Sequence, residues 1–307
     1  IAVAIARRKN ASAASRGSTK RLCDFEFQAL DHLDPAIEDD PQWAWAIGRR
    51  GETYRLIGKY GRALADFDRA IELDPQYAWA ITHRGETYRL IREYARALAD
   101  FDQASNLYPK DAWTIAHRGE IYQSMGDYSK ALVYFGRAIE LDPQYAWAIT
   151  RRGEIYRLIG EYARALADFT RAIELDPQVS WVVAQRGEIY DLMAHYDEAL
   201  ADFSRAIELD PESSEAITRR AATFHSMGRY REARADLERA LAIRERVFGP
   251  GHPDTLESLD NLGNLLVVQG DVDGAHLCLA RGGSCRTSIL GPERPNTAAS
   301  FNAPALI

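Results

Sequence analysis

Apolar and small residues recur along most of this chain at a helical spacing, in pairs of segments separated by a short polar break. In the first clear pair, one segment carries Ile47, Gly51 and Tyr54, and the other carries Ala63, Phe67 and Ala70. The steps of three and four residues predict that each segment is an amphipathic helix. Gly58 suits the left-handed residue that ends a first helix. We expect the second helix to close before Pro75, because the residue that precedes a proline disfavours the α region.

The helix pair returns at a constant step of 34 residues. The prolines that follow this step are Pro41, Pro75, Pro109, Pro143, Pro177 and Pro211. The small residue of the first helix recurs as Gly51, Gly85, Gly119, Gly153 and Gly187, and the ring of the second helix recurs as Phe67, Phe101, Phe135, Phe169 and Phe203. One helix pair cannot bury its own apolar face, so neighbouring pairs must stack. The sequence therefore predicts an all-α chain of stacked antiparallel helix pairs.

The repeated positions resemble the tetratricopeptide repeat (TPR) family. The shared residues in the first unit are Gly51, Tyr54, Tyr60, Ala63, Phe67, Ala70 and Pro75. Six units are predicted, at 44–77, 78–111, 112–145, 146–179, 180–213 and 214–247, and the sixth departs from the pattern at Ala221, Phe224 and Leu237. The resemblance implies a right-handed α-solenoid, the TPR superhelix. It divides the chain into an arm and capping helix (1–40), six repeats (41–247) and a C-terminal region (248–307).

Both ends depart from the 34-residue step. After residue 247, "GPGHPDT" and "GPERPNT" lie 42 residues apart, and this region resembles the longer TPR variant of kinesin light chains. Gly282 and Gly283 each cost a helix about 1 kcal/mol and Pro304 costs about 3 kcal/mol, so we expect residues 280–307 to be frayed or irregular. Near the N-terminus, "FQALDHLDP" looks like a worn copy of "FDRAIELDP" and predicts a helix that caps the first unit.

Residues 7–21 are basic and carry no acid, which indicates a mobile arm or a tail that docks on an acidic surface. Over the whole chain the net charge is −7 and the pI about 5.6, which gives no reason to expect nucleic-acid binding. The sequence has no run of 18 apolar residues that would predict a membrane span.

The three cysteines, Cys23, Cys278 and Cys285, form no disulfide framework, so we expect a reducing, cytoplasmic setting. The Ala- and Arg-rich composition suggests a bacterial source, and the first residue, Ile1, indicates a fragment or a processed product.

No motif of catalysis or cofactor binding is present in the sequence: HExxH, GxSxG and the phosphate loop are all missing. His83 and His117 lie one period apart and are repeat positions rather than a metal pair. We therefore expect no enzymatic activity, no cofactor and no metal.

The candidate site consists of residues that recur from repeat to repeat although the packing of the helices does not require them. In the TPR family, positions two, six, nine and twelve of the first helices face a bound peptide in the concave groove. The matching residues here are Trp45, Arg49, Glu52, Arg55, Trp79, His83, Glu86, Arg89, Trp113, His117, Glu120, Trp147, Arg151, Glu154, Arg157, Trp181 and Glu188. In the last unit the family's asparagines match Asn261 and Asn264, whose amides can donate to and accept from a peptide backbone.

Two interpretations of this stripe stay open. The tryptophans and charges bind a partner, or the charges pair with one another and the tryptophans pack on the next unit. A neighbouring arginine row, from Arg50 to Arg220, is instead expected to pair with the recurring aspartates of the second helices, and Tyr134 breaks that series in unit three.

The leading functional hypothesis is a non-catalytic scaffold that binds a peptide or protein segment in its groove. The alternatives are a sensor arm of a larger multidomain protein, such as a nucleotide-dependent switch protein, and an architectural repeat that self-associates.

Overall fold

The computed structural model describes residues 29–290, with side chains as far as residue 283. These residues form α-helices joined by short turns, and no strand occurs among them. The helices are α1 (29–39), α2 (Ala44–Leu56), α3 (Tyr60–Leu73), α4 (Ala78–Leu90), α5 (Tyr94–Leu107), α6 (Ala112–Ser124), α7 (Tyr128–Leu141), α8 (Ala146–Leu158), α9 (Tyr162–Leu175), α10 (Ser180–Leu192), α11 (Tyr196–Leu209), α12 (Ser214–Ser226), α13 (Tyr230–Phe248), α14 (Pro253–Val268) and α15 (Val272–Leu290). The prediction of an all-α helical repeat solenoid is confirmed.

Within each pair the two helices approach closely at the repeated glycine. A Cβ atom added at Gly85 would lie 3.1 Å from the Cβ atom of Asp100 and 3.2 Å from the ring of Phe101. Phe101 is fully buried, as are its counterparts in the other repeats. The glycine therefore makes room for the ring that fills the space between the two helices.

The turn inside each pair ends the first helix with one left-handed residue. Gly58, Gly126 and Gly160 have φ angles of 80°, 78° and 79° there. In the second and fifth repeats the same place is taken by Arg92 and Ala194, with φ angles of 65° and 59°. A side chain is disfavoured in this region, so these two turns carry a conformational cost that glycine avoids.

The chain divides into two compact units. The N-terminal unit ends at Leu175 and the C-terminal unit begins at Asp176. In the N-terminal unit, the buried residues lie along the stacked pairs, as with Ile47, Phe67 and Ala80 around α2, α3 and α4. The C-terminal unit has a core of its own on the longer helices α13 and α14, with Leu241, Leu259 and Leu266 among its members.

Helix α1 occupies the place of a second helix in the repeat pattern. Its residues align with the next second helix at a different offset from the one that the likeness of "FQALDHLDP" to "FDRAIELDP" predicted. Asp34 accepts a hydrogen bond from Arg50 at 2.9 Å, as Asp68 accepts one from Arg84 at 2.8 Å one period later. The helix passes through Pro35 and ends before Pro41. The alignment of "FQALDHLDP" with "FDRAIELDP" was therefore wrong by six residues, because the packing of the helix sets its register. Ile37 packs against the core around Phe67, which supports the expected contact with the first unit.

The expectation of an irregular chain from residue 280 is wrong for residues 280–290. Helix α15 continues through Gly282 and Gly283 to Leu290, and both glycines are buried. Packing of α15 on α14, where Leu279 contacts Gly263, outweighs the low helix propensity of the two glycines. Residues 291–307, including Pro304, lie outside the described residues, as does the basic segment 7–21. The likeness of this region to the kinesin-light-chain variant stays a prediction.

Candidate functional site

The arginine row from Arg50 to Arg220 makes an ion pair within every 34-residue repeat except the third, as the sequence predicted. Arg84 donates from Nε and Nη2 to the two carboxylate oxygens of Asp100, at 2.9 and 2.6 Å. The same paired geometry joins Arg50 to Asp66, Arg152 to Asp168, Arg186 to Asp202 and Arg220 to Asp236. In the third repeat Arg118 donates to the hydroxyl of Tyr134 at 2.9 Å instead. This row stabilises the helix pairs and does not belong to the candidate site.

Positions two and six of the N-terminal unit form one continuous stack, which we call the ring column. Its members are Trp45, Arg49, Trp79, His83, Trp113, His117, Trp147 and Arg151. Within a repeat, His83 stacks on Trp79 with ring centroids 4.0 Å apart, and His117 stacks on Trp113 at 3.7 Å. In these two repeats the ring at position six thus stacks on the tryptophan at position two of the same repeat.

The contacts between repeats follow the same pattern. The Arg49 guanidinium lies 4.3 Å from the ring centroid of Trp79. His83 stacks on Trp113 at 5.5 Å, and His117 stacks on Trp147 at 4.9 Å. The faces of the interior tryptophans are therefore covered by neighbouring rings or by a guanidinium, in geometries that favour stacking and cation–π attraction.

The edges of these rings stay accessible. Trp79, Trp113 and Trp147 are half-buried. Among the described residues, none of their indole N–H groups makes a hydrogen bond or is buried without a partner. An indole nitrogen is a donor only. The column thus offers a row of free donors along one face of the N-terminal unit.

The two histidines of the column donate hydrogen bonds to the backbone. Nδ1 of His83 lies 2.8 Å from the carbonyl oxygen of Trp79, and Nδ1 of His117 lies 2.9 Å from that of Trp113. A carbonyl only accepts, so Nδ1 carries the proton in both rings. Burial lowers the pKa of His83, which keeps this ring uncharged at neutral pH.

In the first two repeats, positions nine and twelve pair with each other. Arg55 donates to both carboxylate oxygens of Glu52, each at 2.7 Å, and Arg89 does the same to Glu86 at 2.7 and 2.6 Å. Burial acts to raise the pKa of Glu86, but the hydrogen bonds from Arg89 and the positive charges nearby lower it overall. These charges neutralise one another, so the interpretation of internal pairing describes this part of the stripe.

Glu86, His117 and Glu120 have potential metal-ligating atoms within 4.8 Å of one another. Arg89 already bonds both oxygens of Glu86 and lies 3.4 Å from Glu120. A divalent cation would have to displace this guanidinium and tolerate its charge nearby. We therefore assign no metal to the group.

Other predicted residues lie on α8 and α10. Arg151 pairs with Glu154 at 2.8 Å, and Arg157 is half-buried on α8. In the C-terminal unit, Trp181 is half-buried on α10. Glu188 accepts from Arg219 at 2.7 Å.

The two asparagines lie on α14 of the C-terminal unit. Asn264 is exposed and Asn261 is half-buried. Their amides make no hydrogen bond with another described residue. Both amides are therefore available to a ligand, although the ring column lies in the other unit.

One set of aromatic rings was not predicted from the sequence. Trp43, Tyr77 and Tyr145 precede the first helices and stack on the tryptophans two residues later, with centroids 5.4, 5.7 and 5.8 Å apart. Their 34-residue spacing was a usable signal, although Asp111 and Val179 interrupt it in the third and fifth repeats.

Family models described as tetratricopeptide repeat match residues 44–77, 112–145, 146–179, 183–213 and 213–282. Together these ranges cover more than half of the chain. The chain belongs to the tetratricopeptide repeat family. It is thus a repeat scaffold for protein interactions, and no described helix is long and apolar enough to cross a membrane.

Solved TPR structures share this fold. A tetratricopeptide repeat protein from Parabacteroides merdae aligns with a TM-score of 0.59 at 19% identity, covering 90% of this chain and 100% of its own. The C-terminal part of a TPR repeat-containing protein from Cytophaga hutchinsonii aligns with a TM-score of 0.64 at 16% identity, covering 83% and 99%. A chain of the APC/C hetero-tetramer Cut9–Hcn1 gives 0.63 at 17% identity and covers 78% of this chain. This chain spans only 46% of that one. No curated protein sequence matches this TPR chain.

Proposed function

We propose that this TPR chain is a non-catalytic scaffold that binds an extended peptide segment of a partner protein along the ring column. The observation that carries the proposal is the row of free indole N–H donors on Trp79, Trp113 and Trp147, beside ring faces that are already covered. An extended peptide offers backbone carbonyls at regular intervals, and these can accept from such a row.

The neighbouring charges support a neutral, backbone-directed mode of binding in the middle of the column. Glu52 and Arg55 are paired, as are Glu86 and Arg89, so a ligand does not have to neutralise them. Apolar side chains of the segment would gain about 25 cal/mol per Å² of ring edge that they cover.

Asn261 and Asn264 form a second candidate subsite in the C-terminal unit. A primary amide can donate to a carbonyl and accept from an N–H group of the same peptide backbone. Asn264→Ala is therefore expected to weaken a peptide bound at this subsite by about 1 kcal/mol.

The test is selection of binding peptides from a phage-displayed library of random peptides on the full chain, followed by calorimetric titration of the synthetic peptides. The decisive variants are Trp79→Phe, Trp113→Phe and Trp147→Phe, which keep a ring in the column and remove only the donor. Each lost hydrogen bond is expected to cost about 1 kcal/mol, or about fivefold in Kd.

The control is Tyr108→Phe, which removes a hydroxyl donor from an exposed ring that lies outside the first helices. Its affinity for the selected peptides is expected to match that of the unchanged chain. A library that yields no binder, or peptides that bind the three tryptophan variants at full strength, would overturn the proposal.

We also retain the prediction of a reducing, cytoplasmic setting. It is supported by Cys278, which is a free and buried thiol.

A further inference from the structure

Each interior tryptophan of the ring column receives a planar group from the preceding repeat. Arg49 covers Trp79, His83 covers Trp113, and His117 covers Trp147. The group is a guanidinium once and an imidazole twice, and the distances run from 4.3 to 5.5 Å. The repeat geometry thus creates on Trp79, Trp113 and Trp147 a slot that accepts a flat, nitrogen-bearing group.

The slot on Trp45 is open. Its own repeat supplies Arg49, 5.4 Å from the ring centroid, and Trp43 stacks beside it as Tyr77 stacks beside Trp79. No described residue takes the place on Trp45 that Arg49 takes on Trp79. Trp45 is 47% exposed and Trp43 is 44% exposed, whereas the interior column tryptophans are half-buried.

Within residues 29–283, the groups stacked at Trp45 are Arg49 of its own repeat and the neighbouring Trp43. The described part of the chain therefore leaves the slot available to a group from another molecule.

The chain that leads to the open slot carries negative charge. Glu38, Asp39 and Asp40 are exposed and immediately precede the turn that leads to Trp43. A guanidinium is flat, is charged at every physiological pH, stacks on tryptophan and bonds carboxylates in pairs. An ammonium lacks the flat face, and an imidazole is mostly uncharged at neutral pH.

We propose that the slot on Trp45 receives an arginine side chain of the bound partner. The partner segment would then carry this arginine at the end that lies over the first repeat. The inference rests on the proposed function and names one residue of the segment that the ring column binds.

The test is a double-mutant cycle between the chain and the synthetic peptides recovered from the phage-displayed library. In the peptide, each arginine is replaced in turn by citrulline, which has the same shape without the charge. In the chain, Trp45→Ala removes the slot at an exposed position, and an unchanged circular dichroism spectrum verifies the fold. One arginine is expected to couple to Trp45 by about five- to tenfold in Kd.

The matched control is Trp79→Phe, at an interior position whose slot Arg49 already fills. It should show no coupling to the same arginine. Glu38→Gln together with Asp39→Asn should weaken the peptide by a few fold at low salt and less at high salt. Replacing that arginine by lysine should weaken binding nearly as much as citrulline does.

The inference is overturned if the recovered peptides lack arginine, or if every arginine is additive with Trp45→Ala. If those peptides are still weakened by Trp113→Phe, the proposed function stands without the arginine slot. If Trp113→Phe has no effect either, both proposals fail.

Discussion

The ion pair between Arg84 and Asp100 gives the sharpest test of how the helix pairs are held together. Asp100 is 5% exposed and receives two hydrogen bonds from Arg84. The variant Arg84→Met keeps most of the aliphatic stem and leaves a buried carboxylate without its partner. Breaking a buried pair from one side costs about 3–5 kcal/mol. We expect the lower end, about 3 kcal/mol, because the Arg84 side chain is 19% exposed and water can reach the vacated place.

The loss should depend on pH with a defined sign. Burial raises the pKa of Asp100, and the hydrogen bonds from Arg84 act in the opposite direction. Without Arg84 the pKa rises further, so the folded variant binds a proton more tightly than the unfolded chain does. The loss of stability relative to the unchanged chain is therefore largest at neutral pH and shrinks as the pH falls through the raised pKa of Asp100.

The third repeat supplies the control within the same chain. Arg118→Met removes a hydrogen bond to the hydroxyl of Tyr134, which should cost about 1 kcal/mol. Both variants also lose an ion pair with an exposed aspartate, Asp102 for Arg118 and Asp68 for Arg84. Because Arg118→Met leaves no buried carboxylate without its partner, its loss should recover less in acid than that of Arg84→Met. Hydrogen exchange measured peptide by peptide reports the local free energy of opening in each repeat, which suits a stack whose stability is a sum of local terms. Equal losses in the two variants, or a loss in Arg84→Met that does not shrink on acidification, would refute the reasoning.

Three further predictions use positions where the structure is specific. Arg92→Gly removes the side chain from a residue with left-handed backbone angles and should stabilise the chain by about 1 kcal/mol. Gly160→Ala places a side chain on such a residue and should destabilise the chain by a similar amount. Thermal unfolding that ranks the two variants in the opposite order would contradict this. Gly119→Ala, with Phe135 only 3.2 Å from the added methyl group, should cost about 1–3 kcal/mol. Gly136→Ala, with nothing within 4 Å, should gain about 0.5–1 kcal/mol in urea unfolding. Burial raises the pKa of Cys278, so its alkylation at neutral pH, followed by mass spectrometry, should be slow until urea is added; fast labelling of the folded chain would be inconsistent with this.

The sequence was sufficient for features that the repeat itself dictates. Gly85 and Phe101 recur because the helices of one pair must approach and fill the space between them, so their roles follow from the period. The arginine row was predictable for the same reason, since Arg84 and Asp100 lie in one repeat and are both copied. The break at Tyr134 was equally visible, and the structure shows the hydroxyl that replaces the carboxylate.

The features that the sequence could not supply depend on contacts between distant residues. The register of α1 is set by Asp34 on Arg50 rather than by the local proline, and α15 passes Gly282 and Gly283 because it packs on α14. The stripe left two interpretations open because periodicity places a side chain on a face without showing what covers it. The distance between neighbouring repeats decides whether the His83 ring is exposed to a ligand or is covered by Trp113.

In the ring column, internal packing accounts for the ring faces and the paired charges, and binding of a partner stays our proposal. Stacking of His83 between Trp79 and Trp113 uses the ring faces for stability, and the ion pair of Glu86 with Arg89 uses the charges in the same way. What remains for a partner is the free indole N–H groups and ring edges in the middle of the column and one uncovered face at its first tryptophan. The middle of the ring column should therefore bind peptides of many sequences, because every peptide offers the same backbone carbonyls. Selectivity for the peptide sequence should depend mainly on Trp45.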